Sequence, residues 1–283
     1  MYDLQYVKKR RRRKIAAVVS LIASIGVASL VVTSFLGRTV GTFTVAVTNS
    51  TVKLALSKTE KLENTTSYLR IEKLLPIRET TYDSLPKDDI LDNEETAYDY
   101  GTNMDDNGNA ESLQYVKYTF YVTNEGTTTA KYNLTVTLAD RKKSDDGTER
   151  TLDDTLRVMV YENDPIAGTN NEPEIWAKEA KEYNYTKGTE SNPDGEKTRR
   201  EFISYYPSAS NQEDDEHKLV DYSFLPGTDI VKYVVPNFRH HDVRRYTIVI
   251  WLEGEDPQSD NSTLFPEGAT LRLGVNIKAY ENS

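Results

Sequence analysis

The 283-residue chain contains no cysteine. That excludes disulfides, thiolate nucleophiles and zinc sites built on sulfur. Histidine is scarce, limited to His217, His240 and His241. None of them sits in an H-E-x-x-H pair, and the sequence has no G-x-S-x-G elbow, P-loop or dinucleotide-binding glycine pattern. The expectation is a protein that is not an enzyme. Scattered pairs of Asp and Glu leave a surface hydrolase as the one remaining catalytic reading. On a strand, His240 and His241 point to opposite faces and cannot share a metal; the simpler reading places them in a loop.

Long hydrophobic runs are also absent, with one exception. Ile15 to Leu36 reads IAAVVSLIASIGVASLVVTSFL, 22 residues without a charge, and seven cations from Lys8 to Lys14 precede it. A bilayer core about 30 Å thick needs roughly 20 apolar helical residues, so the run is long enough to span it. A soluble core helix shows a polar stripe at the helical period, and this run has none. A removable signal has an apolar core of about 7–15 residues and a small-x-small cleavage site after it. This run is longer and ends without such a site, so an uncleaved signal anchor is expected. The positive-inside rule puts residues 1–14 in the cytoplasm and 37–283 outside, a single pass through the cell membrane. The cations fit anionic inner-leaflet lipid better than nucleic acid.

Charge outside the membrane has the other sign. The chain carries 35 Lys and Arg against 45 Asp and Glu, net −10. The tail 1–14 is net +6 (seven cations and Asp3), leaving −16 for the outer part. Phosphate backbones need a basic face, so nucleic acid is not an expected partner. A cysteine-free exported domain points to a bacterium with a single membrane.

The outer part reads as strands. Phe43, Val45 and Val47 alternate with Thr42, Thr44 and Thr48, and Val52, Leu54 and Leu56 continue the pattern. Val116, Tyr118, Phe120 and Val122 are separated from Tyr132, Leu134, Val136 and Leu138 by Asn124-Glu125-Gly126, which predicts a hairpin. Tyr246 to Leu252 is apolar on both faces and predicts a doubly covered central strand; Leu271 to Ala279 alternates cleanly. Short helices are expected over Asp88–Tyr98 and Glu174–Tyr183, within long polar loops at 57–113 and 163–218. The fold class predicted is mainly β: a transmembrane helix followed by one antiparallel β-sandwich of jelly-roll or immunoglobulin-like type.

Two acidic stretches are candidate calcium sites. Asn103, Asp105 and Asn107 stand at positions 1, 3 and 5 of a loop with Gly108 at 6 and Glu111 at 9. Position 12 is Gln114 where an EF-hand needs a bidentate Glu, and a strand follows instead of a helix. A looser calcium loop or a plain acidic surface loop remains. Glu253, Glu255, Asp256 and Asp260 form a second cluster after the Trp251 strand.

Three segments carry a family resemblance: TSFLGRTVGTFTVAV (Thr33–Val47), YVKYTFYVTNEG (Tyr115–Gly126) and YTIVIWLEGEDP (Tyr246–Pro257). They resemble the TasA/camelysin group of exported Gram-positive surface and biofilm-fibre proteins. The resemblance implies a processed or anchoring N-terminal segment, a β-sandwich, and a structural role in the biofilm matrix. The zinc-protease activity described for camelysin-type members needs a histidine pair at helical spacing, which this sequence lacks, so it is not carried over. The expected function is a membrane-anchored structural or adhesive surface protein that self-associates. The alternative is an anchored module binding cell-wall carbohydrate or peptide, with calcium ordering its loops.

Overall fold

The computed structural model describes residues 34–37, 41–48, 52–74, 77–86, 98–99, 102–104, 110–142, 151–164, 169–170, 173–178, 187–191, 199–205, 218–254 and 270–281. The chain is mainly β, in two large mixed sheets. The six-stranded sheet runs β16 (Asp229–Phe238), β9 (Ala130–Lys142), β18 (Thr270–Glu281), β2 (Gly41–Thr48), β4 (Tyr68–Leu74), with β1 (Ser34–Gly37) also paired to β18. The ten-stranded sheet runs β13 (Lys187–Ser191), β14 (Arg199–Tyr205), β15 (Lys218–Ser223), β12 (Glu174–Ala177), β10 (Leu156–Asp164), β17 (Val243–Leu252), β8 (Tyr115–Asn124), β3 (Leu54–Ser57). In addition, β11 (Thr169–Asn170) pairs with β10, and β5 (Tyr98–Asp99) with β8. A separate ladder joins β6 (Thr102–Met104) to β7 (Ala110–Leu113).

One apolar cluster draws on both large sheets. Val45, Tyr132, Leu134, Val136, Val275 and Ile277 come from the first; Phe120, Val122, Val158, Tyr246, Ile248 and Ile250 come from the second. Alternation with period two is what lets each strand contribute every second residue to this shared interior. A run of rings crosses it. Phe238 meets Tyr132 edge-on at 5.0 Å, and Tyr246 stacks on Phe120 at 5.7 Å. The Tyr132 and Tyr246 hydroxyls join the two halves at 2.8 Å.

Four expectations need correction. The sheets are not purely antiparallel, because β18 runs parallel to β2 and β12 parallel to β15. The predicted 116–138 hairpin is not a hairpin: β8 lies in the ten-stranded sheet and β9 in the six-stranded one. The connection at Glu125–Thr129 crosses between sheets, so Phe120 and Leu134 face a common core instead of lying side by side. The helix expected from Glu174 opens as strand β12, where Trp176 sits opposite Val158. Finally, Ser34, Phe35 and Leu36, the last three residues of the expected transmembrane run, pair with Leu273, Arg272 and Leu271 in β1.

Tyr246 to Leu252 is central and doubly covered: β17 lies between β10 and β8, and its residues from Arg245 on are buried. A turn at Pro226-Gly227 precedes β16, with Gly227 at φ 97° and the Leu225 amide donating to the Ile230 carbonyl at 2.9 Å. A positive φ of that size favours glycine because a Cβ meets the backbone there. Among the described residues no helix is long and apolar enough to cross a membrane; the charge-free run up to residue 33 lies outside them.

Candidate functional site

The two large sheets treat their outward faces differently. On the ten-stranded sheet the outward beat of the central strands is buried. Lys117, Thr119 and Tyr121 of β8, Arg157 and Met159 of β10, and Arg245, Thr247 and Trp251 of β17 are all nearly inaccessible. Arg157, Trp251 and Tyr115 lie in one row across the strands, and Met159, Val249 and Lys117 in the next. Thr119 and Thr247 share a hydroxyl–hydroxyl hydrogen bond at 2.9 Å. Three interior cations on a single sheet face are costly unless paired, and all three have interaction partners within the chain. In the sequence Lys117 and Thr119 sit at the polar beat of their strand, which reads as solvent-facing, whereas the run holding Thr247 and Trp251 already reads as covered on both faces.

Glu253 organises one end of this face. It is fully buried, and its Oε2 accepts from the Trp251 indole at 3.0 Å and from the Tyr82 backbone N–H at 3.1 Å. The Glu253 amide donates to the Thr155 carbonyl, and the Gly254 amide to the Thr80 carbonyl, each at 2.9 Å. The segment from Thr80 to Leu85, with its 3-10 turn Tyr82–Ser84, is thereby laid over Trp251, with Leu85 packing in the same small cluster. Of the second candidate calcium cluster, Glu253 is thus an interior hydrogen-bond acceptor. Glu255, Asp256 and Asp260 lie outside the described residues.

The first candidate calcium loop is at the tip of the β6–β7 ladder. Asn103 pairs with Ser112 and Met104 with Ala110, so Glu111 falls at the register shift beside Asn103. Asp105 and Asn107 are outside the described residues. Among the described residues no group of three or more acidic, histidine or cysteine side chains is placed to hold a metal ion.

His240 and His241 occupy the turn between β16 and β17, not a strand, and their rings lie 3.6 Å apart. Asp242 closes this turn, accepting the Arg239 amide at 2.7 Å, and His241 takes φ 66°. His217 lies outside the described residues.

Two further polar clusters involve the strand β12 and the residue that follows it. Trp176 donates to the Tyr233 hydroxyl at 3.0 Å, which donates to Glu174 at 2.5 Å, linking β12 of one sheet to β16 of the other. Lys178 bridges Asp153, fully buried and 3.1 Å away, and Asp154 at the turn Leu152–Asp154. The two carboxylates hold the Lys178 ammonium above its ordinary range despite the opposing effect of burial, which is the largest single influence.

The outward face of the six-stranded sheet is polar and reaches solvent. Its centre is a patch of hydroxyls and amides: Thr137 donates to Asp229 at 3.0 Å, and Asn276 to Thr137 at 3.4 Å. Arg70, Arg272 and Lys278 are exposed around it, with Lys131 and Lys232 half-buried. The Lys278 ammonium stands 5.4 Å from the Tyr280 ring centroid.

Comparison with protein-family models, with curated proteins and with solved structures finds no match to this chain.

Proposed function

We propose that the chain is a single-pass surface protein of a Gram-positive bacterium, with residues 1–14 in the cytoplasm and the β-rich body outside, acting as a structural or adhesive component that self-associates. The observation that carries this reading is the run of seven cations set directly against a charge-free apolar stretch, ahead of a body made of strands. The charge-free run from residue 15 to residue 36 is long enough for a hydrocarbon thickness of about 30 Å. The resemblance of Thr33–Val47, Tyr115–Gly126 and Tyr246–Pro257 to the TasA/camelysin group supports the surface role, and an immunoglobulin-like or jelly-roll sandwich is the form of body that goes with it.

The test is fractionation of expressing cells followed by electron microscopy of the purified full-length chain. The reading expects the chain in the membrane fraction, or shed into the matrix after N-terminal trimming, and oligomers or fibres on removal of detergent. A cytoplasmic protein that stays monomeric contradicts it.

A further inference from the structure

His240 and His241 are two of the chain's three histidines. On a strand, adjacent side chains diverge to opposite faces. In the turn between β16 and β17 the outcome is reversed: the two imidazoles lie side by side, with centroids 3.6 Å apart and planes tilted by 36°. Both residues are exposed. The turn that carries them is held in place. The Asp242 amide donates to the Arg239 carbonyl at 3.0 Å, and the Asp242 carboxylate accepts the Arg239 amide at 2.7 Å. The His241 amide donates to the Asn124 carbonyl at 2.9 Å, and the Asn124 amide to the Asp242 carbonyl at 3.2 Å. Asn124 is buried, so the turn is anchored on the end of β8. His241 takes φ 66°, a left-handed conformation that glycine or asparagine adopts more readily. That backbone takes His241 out of the extended form that sends its ring to the opposite side.

Two imidazoles at this spacing suit one metal ion. Nitrogens bound side by side to a metal at about 2.0–2.1 Å stand about 3–3.4 Å apart. Rings with centroids 3.6 Å apart need only small χ rotations, open to exposed side chains, to bring one nitrogen of each to a shared ion. Imidazole suits zinc, copper and nickel, whereas calcium and magnesium take oxygen. One carboxylate oxygen of Asp242 is engaged by the Arg239 amide, and the Arg239 guanidinium carries the same sign of charge as the ion. The ion's remaining positions therefore fall to water.

We propose that the His240–His241 turn chelates a divalent ion of the zinc, copper and nickel class through one nitrogen of each imidazole. With two protein ligands it is an open site, distinct from the closed four-ligand arrangement of structural zinc. It is separate from the acidic stretches weighed for calcium, and it stands whether or not the chain self-associates.

The test is titration of the full-length chain, purified without a histidine tag and held in detergent micelles, with Zn²⁺ by calorimetry and with Cu²⁺ by electron paramagnetic resonance. The variants are His240→Ala and His241→Asn, the second chosen because asparagine keeps the left-handed backbone. The control, His217→Ala, removes the remaining histidine. Melting curves without metal verify that each variant is folded. The proposal expects one Zn²⁺ per chain, not displaced by excess Ca²⁺. It expects two nitrogen ligands in the Cu²⁺ spectrum of the parent and one in either variant. Affinity falls by about a hundredfold in each variant, the contribution of a second ligand tethered beside the first, and the control matches the parent. The absence of saturable Zn²⁺ and Cu²⁺ binding, or binding that both variants leave unchanged, overturns the proposal. So does a stoichiometry of one ion per two chains, which shares each ion between copies.

Discussion

The side-chain amide of Asn124 donates to the main-chain carbonyl of Phe238 at 2.9 Å, although the two residues stand 114 positions apart and in different sheets. The same amide donates to the Thr128 carbonyl at 2.9 Å, and its oxygen accepts from the Gly126 amide at 2.9 Å. Backbone bonds from Asn124 to His241 and Asp242 complete the junction. One fully buried side chain thus fixes the crossing from β8 to β9 and joins it to the end of β16.

Replacing Asn124 by Ala takes a buried donor from the Phe238 carbonyl and one partner each from the half-buried Gly126 amide, which also donates to the Lys53 carbonyl, and from the carbonyl of exposed Thr128. At about 1–3 kcal/mol for an unsatisfied buried group, the expected loss is about 2 kcal/mol in urea denaturation. A loss below about 0.5 kcal/mol contradicts the role given to this residue.

Glu253 offers a sharper comparison. Glu253→Ala removes the acceptor of the Trp251 indole and the Tyr82 amide, and an expected cost of about 2–4 kcal/mol accompanies faster hydrogen exchange at Tyr82. Glu253→Gln keeps one carbonyl acceptor in the same shape and is expected to retain Tyr82 protection. Equal exchange in both variants shows that the carboxylate does not hold the 80–85 segment down.

Alkaline pH tests the tyrosine core. Burial is the main cause in each case: it pushes the Tyr161 phenol up to about 12 and raises the Tyr132 and Tyr246 phenols as well. These groups are raised above an unfolded value of about 10, so above that pH the unfolded chain has released protons that the folded chain keeps. Stability is therefore intact below about pH 10 and falls as pH rises beyond it, by about 1.4 kcal/mol per pH unit for each such tyrosine. Denaturant midpoints measured from pH 8 to 11 check the slope. Tyr132→Phe with Tyr246→Phe is expected to cost less than the two single changes summed, because each single change strands one hydroxyl at the 2.8 Å contact.

A gain in stability is expected at Leu62. It sits at φ 55° in the connection before β4, a left-handed position costing a non-glycine residue about 1–2 kcal/mol. Leu62→Asn is expected to raise stability by about 0.5–1 kcal/mol, since asparagine tolerates that region; a melting temperature that falls counts against it.

What the sequence makes legible follows from its periodicity. The β17 segment, apolar on both beats, announces a strand covered on both sides, and Tyr246 on one face and Trp251 on the other are each buried. The β18 alternation likewise separates Val275 and Ile277 from Asn276 and Lys278. Alternation does not say which sheet a strand joins. Phe120 and Leu134 have the same pattern whether their strands are neighbours or face each other across a core, and the difference lies in what Asn124 bonds to. Parallel pairing of β2 with β18 joins residues more than 200 positions apart and leaves no local trace. Trp176 was hidden by helix-compatible neighbours that tertiary packing overrides. Glu253 was legible only as acid; its burial comes from the Thr80–Leu85 cover, which hydropathy alone does not place.

Because the chain has no cysteine, a single introduced thiol reports on one place only. Lys58→Cys puts it on an exposed residue of the body, and Gln5→Cys puts it in the basic tail. Intact cells expressing each variant are treated with a membrane-impermeant maleimide. The account predicts that Lys58→Cys is labelled on intact cells and Gln5→Cys only after the membrane is opened. Labelling of Lys58→Cys only after lysis contradicts the surface assignment.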